Sequence, residues 1–239
     1  MHLRDPHRRV AAKAILILFF TASWTVTQAE TLPDLMWGRS VVKVRAESSR
    51  GRASMGSGVV VAQNRVATNC HVTRSASSIV VFKGISGYPV FAQSALLEQD
   101  VCILHTMNLN VPPARLGNIN QVSPGDEIFV FGFPMAVGLG MVRGLIREMH
   151  ALDDDYILET DAGFMRGTSG GALFSARGDL IALPTFMLKD ESGGHFYAVP
   201  VEWVRKALSR NAAPISELDG LTFWENGHFI KRNTNKDPE

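Results

Sequence analysis

The sequence predicts an all-β protein, and three observations carry that prediction. Nine short runs rich in β-branched and aromatic residues, from "SVVKVRA" at 40–46 to "HFYAVP" at 195–200, are separated by turn residues. Between them lie "GSGVVVA", "SSIVVFKG", "DVCILH", "EIFVFGFP", "DYILETDA", "GALFSA" and "DLIALPTFM". No helical periodicity alternates with these runs, so a barrel or sandwich is expected in place of a doubly wound parallel sheet. The turn signal "PGDE" at 124–127 divides the runs into two groups, which suggests two β-subdomains packed as one unit.

One segment reads as a helix. In "PVEWVRKALSR", residues 200–210, Pro200 stands at the start and Val201, Val204, Ala207 and Leu208 fall at helical spacing, so a short C-terminal helix should close the fold. Beyond it, Asn226-Gly227 between the apolar flanks of "TFWENGHFIK" predicts a two-residue hairpin in a tail spanning 211–239.

Composition and the N-terminus bound the setting. The 239 residues are 46% hydrophobic and 20% charged, ordinary for a globular domain with a sizeable core. Residues 1–29 read as a secretory signal, with Arg4, Arg8, Arg9 and Lys13 ahead of the 13-residue apolar stretch Ala14–Val26 and Ala29 at the cleavage point. That stretch is shorter than the roughly 20 residues of a bilayer span, so no stable membrane span is expected after cleavage. Without the leader the chain carries 20 basic and 22 acidic residues, and no basic patch argues for nucleic acid. Neither CxxC, HExxH nor an acidic calcium loop occurs, so no metal and no cofactor is implied.

The most informative stretch is "DAGFMRGTSGGALF", 161–174, where Ser169 stands among glycines. Alone, such a stretch is more often a bend than a reactive site. A nucleophilic serine needs a histidine to take its proton and a carboxylate to orient that histidine. Among seven histidines, His105, His150, His195 and His228 have no paired context, whereas His71 in "RVATNCHVTRSA" stands where an apolar strand ends in a polar turn. Asp100 heads the apolar run Val101–Leu104, where a buried carboxylate must be paired or hydrogen-bonded. Asp126 and Asp161 are the competing carboxylates.

Taken together, "GSGVVVA", "VATNCHV", "QDVCIL", "PGDEIFVFGFP", "GLGMVRGLI", "TDAGFMRGTSGGALF", "GDLIAL" and "YAVPVEWV" resemble the chymotrypsin-like serine peptidases, and most the bacterial HtrA/Deg branch. The resemblance spans about residues 40–208, within a peptidase domain placed at 30–210. It implies two six-stranded β-barrels with the site between them, and a triad of His71, Asp100 and Ser169 with Gly167 and Ser169 backbone N–H groups as the oxyanion hole. It maps the primary pocket to Gly163, Phe164, Met187 and Phe196, and puts Thr185 near Asp100 on the strand where an extended substrate adds its backbone. An apolar pocket without a carboxylate implies small or medium aliphatic side chains, and peptide or unfolded protein as the partner. With His71 against Asp100, Cys70 and Cys102 come close enough to bridge in an oxidising, exported setting. The sequence departs from the branch at Cys70 and at Thr168, where Asn is usual, and the 31 residues after Leu208 leave no expected room for a PDZ domain. A catalytically silent peptide-binding module on the same fold is the alternative reading.

Overall fold

A computed structural model describes residues 34–190 and 193–227 together with Phe229; the segment 1–29, expected to be a secretory leader, lies outside the described residues. Twelve strands build the body. The first six are β1 (Val41–Glu47), β2 (Ala53–Ala62), β3 (Arg65–Thr68), β4 (Ser78–Lys83), β5 (Ser86–Leu96) and β6 (Val101–Thr106). The second six are β7 (Glu127–Gly132), β8 (Gly140–Leu152), β9 (Asp155–Thr160), β10 (Ala172–Ser175), β11 (Leu180–Asp190) and β12 (Gly193–Pro200). Each set closes on itself through antiparallel pairings, the first in the order β5-β4-β1-β2-β3-β6 with β6 returning to β5, the second in the order β10-β11-β12-β9-β8-β7. Short helices α1 (Asp34–Trp37), α2 (Cys70–Thr73) and α3 (Val201–Leu208) and a two-residue strand β13 (Ala213–Pro214) complete the elements that matter here.

The period of two along each strand sorts side chains into three apolar clusters. Val42, Val44, Val60, Val66 and Leu104 fill the first barrel. Ile128, Val130, Leu158, Leu173 and Ala198 fill the second. The alternate residues, Val41, Val59, Ala67 and Ile103 from one barrel and Phe129, Phe131, Phe174 and Val199 from the other, form one cluster along the seam between them. Strands at the seam are thus buried on both faces, which is why β2 and β7 read as near-continuous apolar runs. Burying each such side chain stabilises by roughly 1.5–3 kcal/mol, so the seam joins the barrels rigidly.

The predicted helix forms, with Pro200 as its N-cap and Val201, Trp203, Val204 and Ala207 buried against the seam. The hairpin expected around Asn226-Gly227 lies partly outside the described residues. Residues 222–226 make a hydrogen-bonded turn, with Glu225 and Asn226 N–H donating to the Thr222 carbonyl. The Glu225 carboxylate accepts both the Thr222 N–H and hydroxyl at 3.0 Å, the first of which is the carboxylate half of a capping box. Among the described residues no helix is long and apolar enough to cross a membrane.

Candidate active site

A cleft of about 570 Å³ opens between the barrels, lined by Ser54, Met55, His71 and Val72 on one side and Phe164–Gly167, Ser169 and Thr185–Met187 on the other. His71 reaches it because β3 ends at Thr68 and the chain turns into α2, whose first turn carries the imidazole. Asp100 arrives from the tight turn after β5. Its backbone is left-handed, φ 58°, a conformation that Asp adopts more readily than most residues, and its N–H donates to the Leu97 carbonyl.

That turn aims a fully buried carboxylate at the histidine. The Asp100 Oδ1 accepts the His71 backbone N–H at 2.8 Å, and Oδ2 lies 2.7 Å from His71 Nδ1. Asn69 Nδ2 donates to the Asp100 carbonyl at 2.9 Å and to Thr185 Oγ1 at 3.1 Å, so Thr185 is coupled to Asp100 through an amide. Cys70 and Cys102, flanking the pair, are bonded to each other with their Cα atoms 5.0 Å apart.

Ser169 sits on a turn that only glycine can build. At Gly171 a Cβ would fall 2.1 Å from the Phe131 carbonyl, and at Gly170, φ +79°, 2.3 Å from Thr68 Oγ1. Gly167, φ +93°, would place one 2.4 Å from the Phe133 carbonyl. The turn is then fastened across the seam. Ser57, fully buried on β2, donates its hydroxyl to the Gly167 carbonyl at 2.6 Å and accepts the Phe133 N–H at 2.8 Å, while its own N–H donates to the Ser169 carbonyl at 2.9 Å. Among the described residues, the N–H groups of Gly167 and Ser169 donate to no other protein group.

The Ser169 hydroxyl donates to the Thr185 carbonyl at 3.1 Å, and among the described residues it makes no hydrogen bond to His71. Thr185 can offer that carbonyl because the register of β11 against β12 slips between Pro184 and Phe186, leaving Thr185 out of the ladder. Phe164, Thr185 and Met187 line the cleft. Gly163 and Phe196 do not line it. The Phe196 ring packs on Phe164 with centroids 5.2 Å apart and borders Gly163, which stays exposed.

Sequence reasoning missed several participants. Trp224 donates its indole N–H to Asp100 Oδ2 at 3.0 Å and stands edge-on to His71. Ser57 was detectable only as a polar residue inside the apolar run "GSGVVV". His150 and His195, expected to lack paired context, converge on one carboxylate: His150 Nε2 and His195 Nδ1 each lie 2.7 Å from a Glu159 oxygen. Burial pushes the Glu159 carboxyl up, but hydrogen bonds from His195 and His150 and their charges outweigh it and hold the group below its ordinary value. Glu148, His150 and Glu159 place potential ligand atoms within 4.8 Å of one another, a grouping that no sequence motif announces. The competing carboxylates have other work: Asp126 Oδ2 accepts the Ser123 N–H and Asp161 Oδ1 the Leu145 N–H.

Two closed six-stranded antiparallel barrels meeting along a cleft with serine, histidine and buried aspartate form the architecture of chymotrypsin-like proteins. A family profile described as "Trypsin-like peptidase domain" matches residues 56–183, and the chain belongs to that family, on its HtrA/Deg side. It is similar to the mitochondrial serine protease HTRA2 of Drosophila willistoni, 27% identical over 172 residues, covering 67% of this chain and 39% of that protein. A probable periplasmic serine endoprotease DegP-like of Buchnera aphidicola is 26% identical over 213 residues, covering 81% of this chain and 46% of that one. The chain thus spans less than half the length of these relatives. Among solved structures, the active form of the Rv3671c protease from M. tuberculosis shares the fold at a TM-score of 0.69 and 22% identity, over 79% of this chain and 87% of that one.

Proposed function

We propose that the chain is an exported serine endopeptidase that cleaves peptide or unfolded protein through an acyl-enzyme. The observation that carries this reading is the 2.7 Å contact of His71 Nδ1 with the buried Asp100 carboxylate, in the same cleft as Ser169 and two unengaged backbone N–H groups. An extended peptide adds its backbone to the edge of β11 at Thr185, where its N–H competes for the carbonyl that holds the Ser169 hydroxyl at rest. Released, the hydroxyl turns to His71 Nε2.

Ser169 Oγ then bonds to the scissile carbonyl carbon as its proton passes to His71. The oxyanion is met by the Gly167 and Ser169 N–H groups, held in place by Ser57. Collapse breaks the C–N bond, and His71 returns the proton to the departing amine. Water repeats the sequence in reverse, with His71 as base, and frees the acid. Asp100 keeps the imidazole in the required tautomer throughout. With Phe164 and Met187 lining the cleft and no carboxylate among its lining residues, the preferred side chain is small or medium aliphatic, and methylene differences give only about 1–3 kcal/mol of selectivity. The basic, apolar leader at 1–29 and a periplasmic relative support export.

The test is a peptide-library and unfolded-protein cleavage assay of the chain beside Ser169→Ala, with a fluorophosphonate as active-site label. Cleavage and labelling of Ser169, both lost in the variant, are expected. Equal turnover by the two proteins overturns the assignment. Peptide binding without cleavage or labelling would favour the silent binding module, and dominant cleavage after Lys or Arg would overturn the pocket reading.

A further inference from the structure

Asp100 is fully buried, and its own turn satisfies only part of it. Its carbonyl accepts Asn69 Nδ2, and Oδ1 accepts the His71 backbone N–H. Oδ2, the oxygen that faces the imidazole, has a second donor: Trp224 Nε1 at 3.0 Å, from a residue 124 positions away. The indole is itself fixed. It stacks on Phe186, centroids 5.1 Å apart and planes 13° from parallel, and meets the His71 ring edge-on at 5.6 Å.

The segment that delivers Trp224 is anchored to the first barrel on both sides of it. Leu218 N–H donates to the Arg74 carbonyl and Phe223 N–H to the Glu98 carbonyl. Glu225 forms a two-point ion pair with Arg74, at 2.6 and 2.7 Å, three residues along from the histidine. Phe223 is buried in the seam, between Phe186 and Trp203. An indole that only filled space would not need this register, because the N–H would be equally well served by water.

We propose that Trp224 is a positioning residue of the reaction and that the Arg74–Glu225 pair is the clamp that sets it; the proposal rests on the serine endopeptidase reading. Two donors on opposite carboxylate oxygens, His71 N–H on Oδ1 and Trp224 Nε1–H on Oδ2, stop rotation of the carboxylate plane and leave one lone-pair direction of Oδ2 for His71 Nδ1. The indole N–H also draws charge from Oδ2, which makes it a weaker acceptor toward His71 and keeps the proton on the imidazole when it becomes charged. The C-terminal segment thereby completes a site whose three reacting residues all lie upstream of it.

Trp224→Phe keeps the ring on Phe186 and removes the donor. Its kcat should fall by about tenfold or more, the expectation for losing a hydrogen bond to a charged group, with KM within about twofold. Proton NMR supplies a readout that needs no turnover: the low-field His71 Nδ1–H resonance should move further downfield as Oδ2 loses its competing donor. Glu225→Gln should move both in the same direction by less. Should the Phe variant fail to fold, Asp100→Asn read on the Trp224 Nε1–H resonance replaces it, with a displaced signal expected and an unmoved one overturning the proposal. An unmoved His71 resonance with kcat within about twofold of wild type also overturns it. If the signals move in a protein that cleaves nothing, the endopeptidase reading falls and the coupling of Trp224 to Asp100 stands.

Discussion

Replacing Ser57 with alanine tests how far the nucleophile turn depends on the barrel opposite. The Ser57 hydroxyl donates to the Gly167 carbonyl at 2.6 Å and accepts the Phe133 N–H at 2.8 Å, at a residue with no exposed surface. Alanine fits the space but leaves one acceptor and one donor unpaired. Each unsatisfied group costs about 1–3 kcal/mol when buried, and partial access of water to the turn trims the sum to about 2–3 kcal/mol. For a domain of this size that lowers Tm by about 4–12 °C. The loss falls on the turn that carries the Gly167 N–H, so fluorophosphonate labelling of the remaining folded protein should slow by about tenfold, less than the hundredfold or more of deleting an oxyanion donor outright. Urea unfolding with stopped-time labelling measures both. A variant within about 0.5 kcal/mol of wild type and labelled at the same rate would refute the argument, because neither hydrogen bond could then be carrying free energy.

Gly171→Ala sets a Cβ 2.1 Å from the Phe131 carbonyl, a backbone clash, and should destabilise by about 3 kcal/mol or more, read as a shift of the urea midpoint. The bond between Cys70 and Cys102 closes a separation of 32 residues, so the paired serine variant should lose about 3–4 kcal/mol of stability, and intact mass without reductant should show no free thiols in the wild type. Glu159→Gln tests the carboxylate shared by His150 and His195. Its folded-state affinity for protons is depressed, so its contribution is present at neutral pH and lost as pH falls through the carboxylate range. The variant should accordingly be about 1–3 kcal/mol less stable near neutrality and converge on wild type in acid, as followed by urea unfolding across pH.

The parts of the fold legible in the sequence are those that the seam buries on both faces. Val59 and Val61 face the seam and Val60 the first barrel, so β2 reads as an unbroken apolar run. β5 gave no such signal, since Pro89 interrupts it, Phe91 is exposed, and Gln93 and Ser94 face side-chain and carbonyl partners in place of apolar ones. β8 buries only Ile146 and His150 among 13 residues, with Arg143 and Arg147 outside, and its strand pattern is lost among charges. As candidates, His71, Asp100 and Ser169 could be singled out in the sequence because His71 and Asp100 stand beside strand ends and Ser169 stands in a glycine-rich turn. Trp224 could not, because nothing local to "TFWENG" records an approach to a residue 124 positions earlier. The same holds for His195, which meets Glu159 across 36 residues through the pairing of β12 with β9.

The bridge from Ser57 to the nucleophile turn joins residues 110 positions apart. Loops of that length close late in folding, after the local hairpins of each barrel have formed. Until the barrels dock, Gly167 and Ser169 have no Ser57 to hold them, and His71 and Ser169 belong to separate half-molecules. A chain still being synthesised therefore has strands before His71 and Ser169 share a cleft. Reactivity toward a fluorophosphonate should accordingly lag behind the β-sheet signal during refolding, and the interval between them times the docking of one barrel on the other.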